Sequence, residues 1–436
     1  MPQTTTIGQP FLDRQAETGQ GAGGRLAEVR RAGLARYGAV GLPTTRAEAW
    51  KYTTLNALRK IAFVPAALAA SPPVVDALPA GRVLAVAGCR IVLVNGRMTP
   101  ALSDLASLPA GVTVETLDAA LERDWVRAAL ERAPEEPLEA LNAAYAGDGV
   151  VIAVAAGAEV TLPLHLVSVG AAGTEPVMAH PRVVVALGRG ARLTLLESQV
   201  GFGGTPYFGN TVVDVSLAEG AALGHYVLQN GADDASLIGS TRVVVERRAV
   251  YEAMILTVGG ALCRNDLRVT LAGEGAECRV GGAYAADGHR HVDNTLMIDH
   301  AVPDTVSRQV FKGVLDGHAR GVFQGRILVR RDAQRTDGRQ VHKALLLSRT
   351  AEVDCKPELE IYADDVKCAH GATAGELDED AMFYLRARGL DPETARGLLI
   401  EAFLDDVIDG IGVEAVREAM ADVVRDWLAR RGGRQA

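Results

Sequence analysis

The residues best suited to metal chemistry stand in the segment "YADDVKCAHGAT", Tyr362–Thr373. If Val366–His370 is a strand, Cys368 and His370 lie two apart and point to the same face. Thiolate and imidazole are ligands for iron, zinc and iron–sulfur clusters, but such centres usually take about four ligands. Either a partner chain completes the site, or Cys368 is a small buried residue and His370 a turn residue. The two residues by themselves favour the second interpretation, because Cys-x-His is a weak signal.

A second candidate for metal chemistry is the segment "DGHRHVDNTLMIDH". On a strand, His289, His291 and Asp293 share one face, and Asp299 and His300 follow. Two imidazoles and a carboxylate are a known ligand set for transition metals. The alternative is a strand face whose polar side chains hydrogen-bond with protein or solvent, and we favour that alternative here.

The composition limits the classes of function. At about 100–200 residues per domain, 436 residues predict two or three domains. A net charge of −9 argues against a nucleic-acid binder, which usually has a basic face. Five cysteines without a CxxC pair argue against a disulfide framework, and Cys89, Cys263 and Cys278 are predicted to be core residues. We find no signal peptide and no apolar run long enough to span a membrane, and we expect a cytoplasmic protein.

Motifs for several common catalytic classes are absent from the sequence. No GxxxxGK[ST] or strand-to-helix GxGxxG occurs, so the sequence offers no loop for binding nucleotide phosphates. No GxSxG motif of a hydrolase nucleophile occurs either. We therefore predict that this chain does not itself hydrolyse ATP.

The order of patterns along the chain predicts three regions. Residues 1–147 are mostly helical in pattern, with a hairpin predicted at Asn95–Gly96. Short Val-rich runs separated by glycine turns then fill residues 148–373, and the length of this β region favours a solenoid over a sandwich or barrel. Helical patterns return in residues 374–436, where Asp378 and Asp391 are predicted N-caps.

Two stretches carry a resemblance to a known family. The C-terminal "KPELEIYADDVKCAHGAT", with "LDEDAMFYLRARGL" after it and "LLLSRTAEVD" before it, resembles the signature of the SufB/SufD family of iron–sulfur cluster assembly proteins. The N-terminal "GLPTTRAEAWKYTTL" is similar to the SufD-type signature of that family. Together the two matches lie across most of the chain.

The resemblance implies a fold and a complex. The fold is a right-handed parallel β-helix between helical N-terminal and C-terminal domains. The complex is a scaffold for nascent iron–sulfur clusters, in which a SufD-type subunit is non-catalytic, pairs with SufB through the β-helix and binds SufC, an ABC-type ATPase. His370 matches the family's cluster-related histidine, with Cys368 as its cysteine. The C-terminal helices match the region that docks SufC, so its expected contacts are Phe383, Tyr384, Leu385, Leu398 and Phe403.

Several points stay open at the level of sequence. One alternative is a β-helix enzyme that acts on polysaccharide with clustered aspartates, and another is a lone metal-binding protein built on His289, His291 and Asp293. Copurification with an ATPase would separate the scaffold from both. The cluster type, the iron and sulfur donors, flavin binding, a possible homodimer of the isolated chain and any role of Cys355 or His342 are not determined.

Overall fold

The computed structural model describes residues 11, 26–66, 75–79, 81–147 and 149–435. Residues 1–15, in which the sequence shows no signal-peptide pattern, lie outside the described residues apart from Phe11. The core is a parallel β-solenoid of about eight turns. From β8 to β21, successive strands alternate between two sheets, and each strand pairs in parallel with the strand two places along the chain. Each turn of the chain therefore adds one strand to each sheet.

The strands, in chain order, begin in the N-terminal region and end near residue 375. They are β1 (Val64–Pro65), β2 (Cys89–Val94), β3 (Arg97–Met98), β4 (Val112–Thr116), β5 (Gly149–Val154), β6 (Leu164–Gly170), β7 (Val177–Ala179), β8 (Arg182–Leu187), β9 (Arg192–Gly201), β10 (Tyr207–Leu217), β11 (Ala222–Asn230), β12 (Ala235–Val245), β13 (Val250–Thr257), β14 (Leu262–Leu271), β15 (Glu277–Ala286), β16 (His291–His300), β17 (Val306–Leu315), β18 (Arg320–Val329), β19 (Thr336–Leu346), β20 (Glu352–Ile361) and β21 (Val366–Gly375). Sheet 1 runs β20-β18-β16-β14-β12-β10-β8-β5-β4, with β7 and β1 at its side, and sheet 2 runs β21-β19-β17-β15-β13-β11-β9-β6-β2-β3.

Helices cover the outer faces of both sheets. They are α1 (Ala27–Val40), α2 (Asn56–Arg59), α3 (Asp124–Glu131), α4 (Pro137–Ala144), α5 (Glu379–Arg386), α6 (Pro392–Ile408) and α7 (Glu414–Gln435). The N-terminal helices pack on the outer face of sheet 1, around Phe208 and Val184. Helices α6 and α7 pack on the outer face of sheet 2, around Met254 and Leu256. Within the described ranges, no helix is long and apolar enough to cross a membrane.

The interior of the solenoid is built from columns of buried apolar residues. Because the parallel strands are in register, each turn places a residue of similar type above the previous one, and β-branched side chains suit this pleated packing. One buried column of sheet 1 contains Val185, Val215, Val243, Val269, Ile298 and Ile327.

The glycine turns that separate the Val-rich runs repeat as corners of the solenoid. Gly157, Gly190, Gly220 and Gly275 all have φ between 67° and 72°. This left-handed conformation favours glycine, which has no Cβ to clash with the backbone. The repeat therefore has a local conformational cause.

The N-terminal region contributes more strand than its helical pattern predicts. The hairpin at Asn95–Gly96 is confirmed, since β2 and β3 pair antiparallel around it. β2 also pairs in parallel with β6, and β4 pairs antiparallel with β5. The short apolar run of β2 thus extends an edge of the solenoid, which periodicity within the run could not reveal.

Buried histidines predict a pH dependence of stability. Burial lowers the pKa of His165 and His300 to about 4 and that of His180 to about 3, from 6.5. The unfolded chain therefore binds more protons than the folded chain between pH 6.5 and pH 4, and stability falls as the pH drops through that window. We expect a loss of about 2 kcal/mol for each histidine between pH 7 and pH 5.

Denaturant unfolding at the two pH values checks this expectation. His300→Gln should remove the share of His300, which otherwise bonds the hydroxyls of Thr305 and Ser307. An unchanged pH dependence in that variant would contradict the assignment.

Candidate functional site

The candidate site lies at the C-terminal end of the solenoid. β20 and β21 are the last strands of their sheets, and among the described residues no strand pairs with the outer edge of either. Nearly all of β21 is exposed. An unpaired edge presents backbone N–H and C=O groups that can pair with another strand.

Cys368 and His370 point to the same side of β21, as predicted. In register, Cys368 stands beside Gly338 and His370 beside Gln340, and both of these β19 residues are buried. Cys368 is half-buried and packs near Ile327, whereas His370 is exposed. Burial raises the pKa of the Cys368 thiol, and a bound metal or a nearby cation would favour its thiolate form.

Cys368 and His370 do not form a complete metal centre by themselves. In the part of the chain that the structure describes, no three His, Cys, Asp or Glu side chains could hold a metal ion together. Cys355 of β20 belongs to the same last turn and packs against the solenoid core, where burial raises the pKa of its thiol to about 11. Within the described residues, His370 and Cys368 therefore lack the further ligands that a metal or cluster would need.

The N-terminal signature docks on the outer face of sheet 1. Trp50 donates its indole N–H to Glu136 Oε2 at 3.3 Å. Its ring lies 4.0 Å from the guanidinium carbon of Arg264, and Arg264 forms an ion pair with Asp293. The signature is thus part of the contact between the N-terminal region and the solenoid.

Thr53 of the same signature contacts the residues of the second candidate metal site. The hydroxyl of Thr53 lies 2.9 Å from Nε2 of His291 and also bonds Asp293. His289 instead stacks on His318 of the next turn, with ring centroids 4.9 Å apart. The three residues therefore do not converge on a metal, and the favoured prediction of a hydrogen-bonded strand face is confirmed for His291 and Asp293.

The remaining residues of that segment are also paired. Asp299 accepts two hydrogen bonds from Arg330, at 2.6 and 2.9 Å. His300 lies 2.7 Å from the Thr305 hydroxyl and 2.9 Å from that of Ser307. Asp299 and His300 therefore form hydrogen bonds that hold parts of the solenoid together.

Removing Asp293 is expected to destabilise the fold. Arg264 is fully buried, so Asp293→Ala would leave its charge with only the Trp50 ring and a 3.5 Å contact to Asp266. We expect a loss of about 3 kcal/mol in the free energy of unfolding, measured by denaturant titration.

Glu360→Ala is the control for Asp293→Ala, because Glu360 pairs with Arg326 at a surface where both side chains are 40% exposed. Its cost should stay below about 1 kcal/mol. Equal losses in the free energy of unfolding for the two variants would show that burial does not increase the contribution of the Arg264–Asp293 pair to stability.

The C-terminal helices begin where predicted. Asp378 accepts a hydrogen bond from the backbone N–H of Ala381 at 2.8 Å, which caps α5. Asp391 accepts from the N–H groups of Glu393 and Thr394, each at 3.0 Å, and caps α6. A carboxylate at an N-cap satisfies N–H groups that have no partner in the helix.

The five residues expected to contact a partner fall into two groups. Phe383, Tyr384 and Leu398 are 74%, 55% and 44% exposed. Leu385 is half-buried, and half-buried Phe403 faces the solenoid, where the Lys312 ammonium lies 4.6 Å from its ring centre. The first three form the exposed apolar set of α5 and α6.

Sequence reasoning left several polar residues inside the last turns without a role. His342 is buried, stacks on Phe323 at 4.8 Å and lies 2.8 Å from the Tyr284 hydroxyl. Burial lowers its pKa to about 4. The sequence signal that could have revealed these buried residues is the alternation along β19, which places Gln340 and His342 at inward positions.

The chain is thus a parallel β-solenoid protein with helices on both outer faces. It carries a Cys-x-His pair on its last strand. A family model for the "SUF system FeS cluster assembly, SufBD core domain" matches residues 168–403, and a model for the "SufBD protein N-terminal region" matches residues 5–166. The chain belongs to the SufBD family of iron–sulfur cluster assembly proteins. This membership displaces the polysaccharide-enzyme alternative.

Individual relatives support the same assignment. The chain is 33% identical over 396 residues to the iron–sulfur cluster assembly protein SufD of Escherichia coli, which covers 90% of this chain and 89% of that protein. It is 31% identical over 419 residues to an iron–sulfur cluster assembly SufBD family protein of Synechocystis sp., covering 92% and 90%. A chloroplastic protein of Arabidopsis thaliana, ABCI7, is 34% identical over 299 residues, covering 66% and 62%. The chain is thus a SufD homologue.

Proposed function

We propose that this chain is the non-catalytic SufD-type subunit of a complex with a SufB-type chain and a SufC-type ATPase, which assembles nascent iron–sulfur clusters. The observation that carries the proposal is the incomplete ligand pair on an unpaired strand edge. His370 and Cys368 offer two ligands where clusters usually take about four. A second chain that pairs with β20 and β21 would bring the remaining ligands to the same place.

The cluster in this proposal is a transient cargo at the SufB–SufD interface. His370 would supply an imidazole nitrogen from the exposed last strand, and the partner would supply thiolates. Cys368 would either join as a fourth ligand or shape the floor beneath His370, because its sulfur faces the solenoid interior. Any flavin would bind to the assembled complex. In the absence of SufB, the same edges would pair with a second copy of this chain as a homodimer.

The proposal assigns ATP hydrolysis to SufC, because this sequence has no phosphate-binding loop. SufC would dock on the exposed side chains of α5 and α6. A cytoplasmic location suits the chemistry, since all five cysteines are free thiols and reduced thiols persist in a reducing compartment.

Anaerobic co-expression with cognate SufB and SufC tests the proposal. We expect the three chains to copurify, to show cluster absorbance and to hydrolyse ATP, while the isolated chain shows no turnover. A chain that binds neither partner, or that hydrolyses ATP alone and loses this activity on mutation, would overturn the proposal.

A further inference from the structure

Two buried glutamines near the candidate site have unsatisfied amides. Gln309 of β17 and Gln340 of β19 are 1% and 0% exposed. Neither the amide oxygen nor the amide nitrogen of either residue has a hydrogen-bond partner among the described residues. Each buried polar group left without a partner costs about 1–3 kcal/mol, so four such atoms side by side require a cause.

The opposite sheet leaves room for one of these amides. Gly325 of β18 faces Gln340 across the solenoid interior, and a side-chain carbon on Gly325 would clash with the amide nitrogen and carbon of Gln340. A glycine therefore stands where any other residue would displace the polar group. The amide of Gln340 has a place shaped for it inside the solenoid.

A third polar group extends the same site. His342 lies two residues along β19 from Gln340, on the same face. Its Nε2 lies 2.8 Å from the Tyr284 hydroxyl, but its Nδ1 is buried and has no protein partner in the described ranges. Gln309, Gln340 and His342 thus present unsatisfied donor and acceptor groups at buried, inward positions of the neighbouring strands β17 and β19. Buried water is the ligand that satisfies such mixed groups, because it donates and accepts together.

This polar region adjoins the candidate cluster site. Gln309, Gln340 and His370 occupy one column of sheet 2, since the register pairs Gln309 with Gln340 and Gln340 with His370. Neighbouring strands are about 4.8 Å apart, so one water molecule can bridge the Gln340 amide, which makes no direct hydrogen bond among the described residues, and the His370 imidazole.

We propose that Gln309, Gln340 and His342 bind a short row of ordered water molecules inside the last turns, and that Gln340 is the positioning residue of His370. Through a bridging water molecule, a glutamine amide can donate towards one imidazole nitrogen or accept from it. Either bond selects one tautomer and leaves the outward nitrogen free as a ligand, as hydrogen bonds to metal-binding histidines commonly do. The role in cluster assembly rests on the function proposed above, whereas the hydration and the tautomer do not.

The first test uses the full-length wild-type chain alone. An atomic-resolution crystal structure should show ordered water bonded to both amides and to Nδ1 of His342. Nitrogen-15 NMR of labelled histidine, with His370→Ala for assignment, should show one dominant tautomer at His370. Amides bonded directly to each other without water, or an even tautomer mixture, would overturn the proposal.

The second test uses two variants that act on Gln340 by different routes. Gln340→Leu removes the amide, and Gly325→Ala displaces it while keeping the residue. Both should give a tautomer mixture at His370 in the isolated chain, and each should lower the cluster yield of the complex about fivefold. Gln229→Leu is the control, because Gln229 is equally buried but bonded to Gln199, Thr257 and Asn265.

The outcomes separate this inference from the proposed function. A wild-type tautomer and yield in Gln340→Leu or Gly325→Ala would overturn the positioning role, even where His370→Ala abolishes assembly. A tautomer mixture in both variants, with normal cluster yield in His370→Ala, would support the positioning and contradict the cluster role of His370.

Discussion

His370→Ala is expected to lower the iron content and cluster absorbance of the anaerobically purified complex by at least about tenfold. The imidazole is exposed on the last strand, so its loss would remove the proposed ligand and little packing. Folding of the chain and copurification of SufB and SufC should stay near normal. Unfolding titrations of the isolated chain and the subunit ratio of the complex check these two points.

Two further variants identify which residues carry the effect. Cys368→Ala should reduce assembly by a similar or smaller amount, because its half-buried thiol also packs near Ile327. His291→Ala should leave assembly near normal, since His291 bonds Thr53 on the far side of sheet 1. Wild-type cluster yield from His370→Ala, or a collapse caused only by His291→Ala, would move the site away from β21.

Replacing the exposed apolar set of α5 and α6 is expected to abolish SufC binding. The triple variant Phe383→Ser, Tyr384→Ser and Leu398→Ser removes three side chains that are 44–74% exposed. Side chains at the centre of an interface often contribute about 2 kcal/mol each, so the affinity should fall on the order of a hundredfold or more. Pull-down of SufC and a titration of its binding measure this loss.

The point variants are sharper than removal of residues 378–436. Deletion would also abolish docking, but it would uncover the apolar outer face of sheet 2, where Ile400 and Leu404 cover Met254 and Leu256. Phe202→Ser is the matched control, because Phe202 is 40% exposed and lies outside the C-terminal helices. Undiminished SufC binding by the triple variant, with normal circular dichroism, would place docking elsewhere.

Features that depend on a few neighbouring residues were predictable from the sequence. The caps at Asp378 and Asp391 follow from helix N-termini, which need an acceptor within three residues. The corners at Gly190 and Gly220 follow from a backbone conformation that favours glycine. The common side of Cys368 and His370 follows from the alternation of a strand. Each of these depends on local backbone geometry.

Contacts between residues far apart in the chain were decided only by the tertiary structure. Thr53 bonds Asp293 across 240 positions, and no pattern within either segment indicates the other. In the sequence β2 is only a short apolar run, and its pairing with the edge strand β6 becomes visible only in the folded solenoid. In the sequence Gln340 is only a polar strand residue, and its packing against Gly325 of the opposite sheet is seen only in the structure. In each case the partner is brought close by the stacking of turns, and the free energy of the contact depends on burial that exists only in the assembled solenoid.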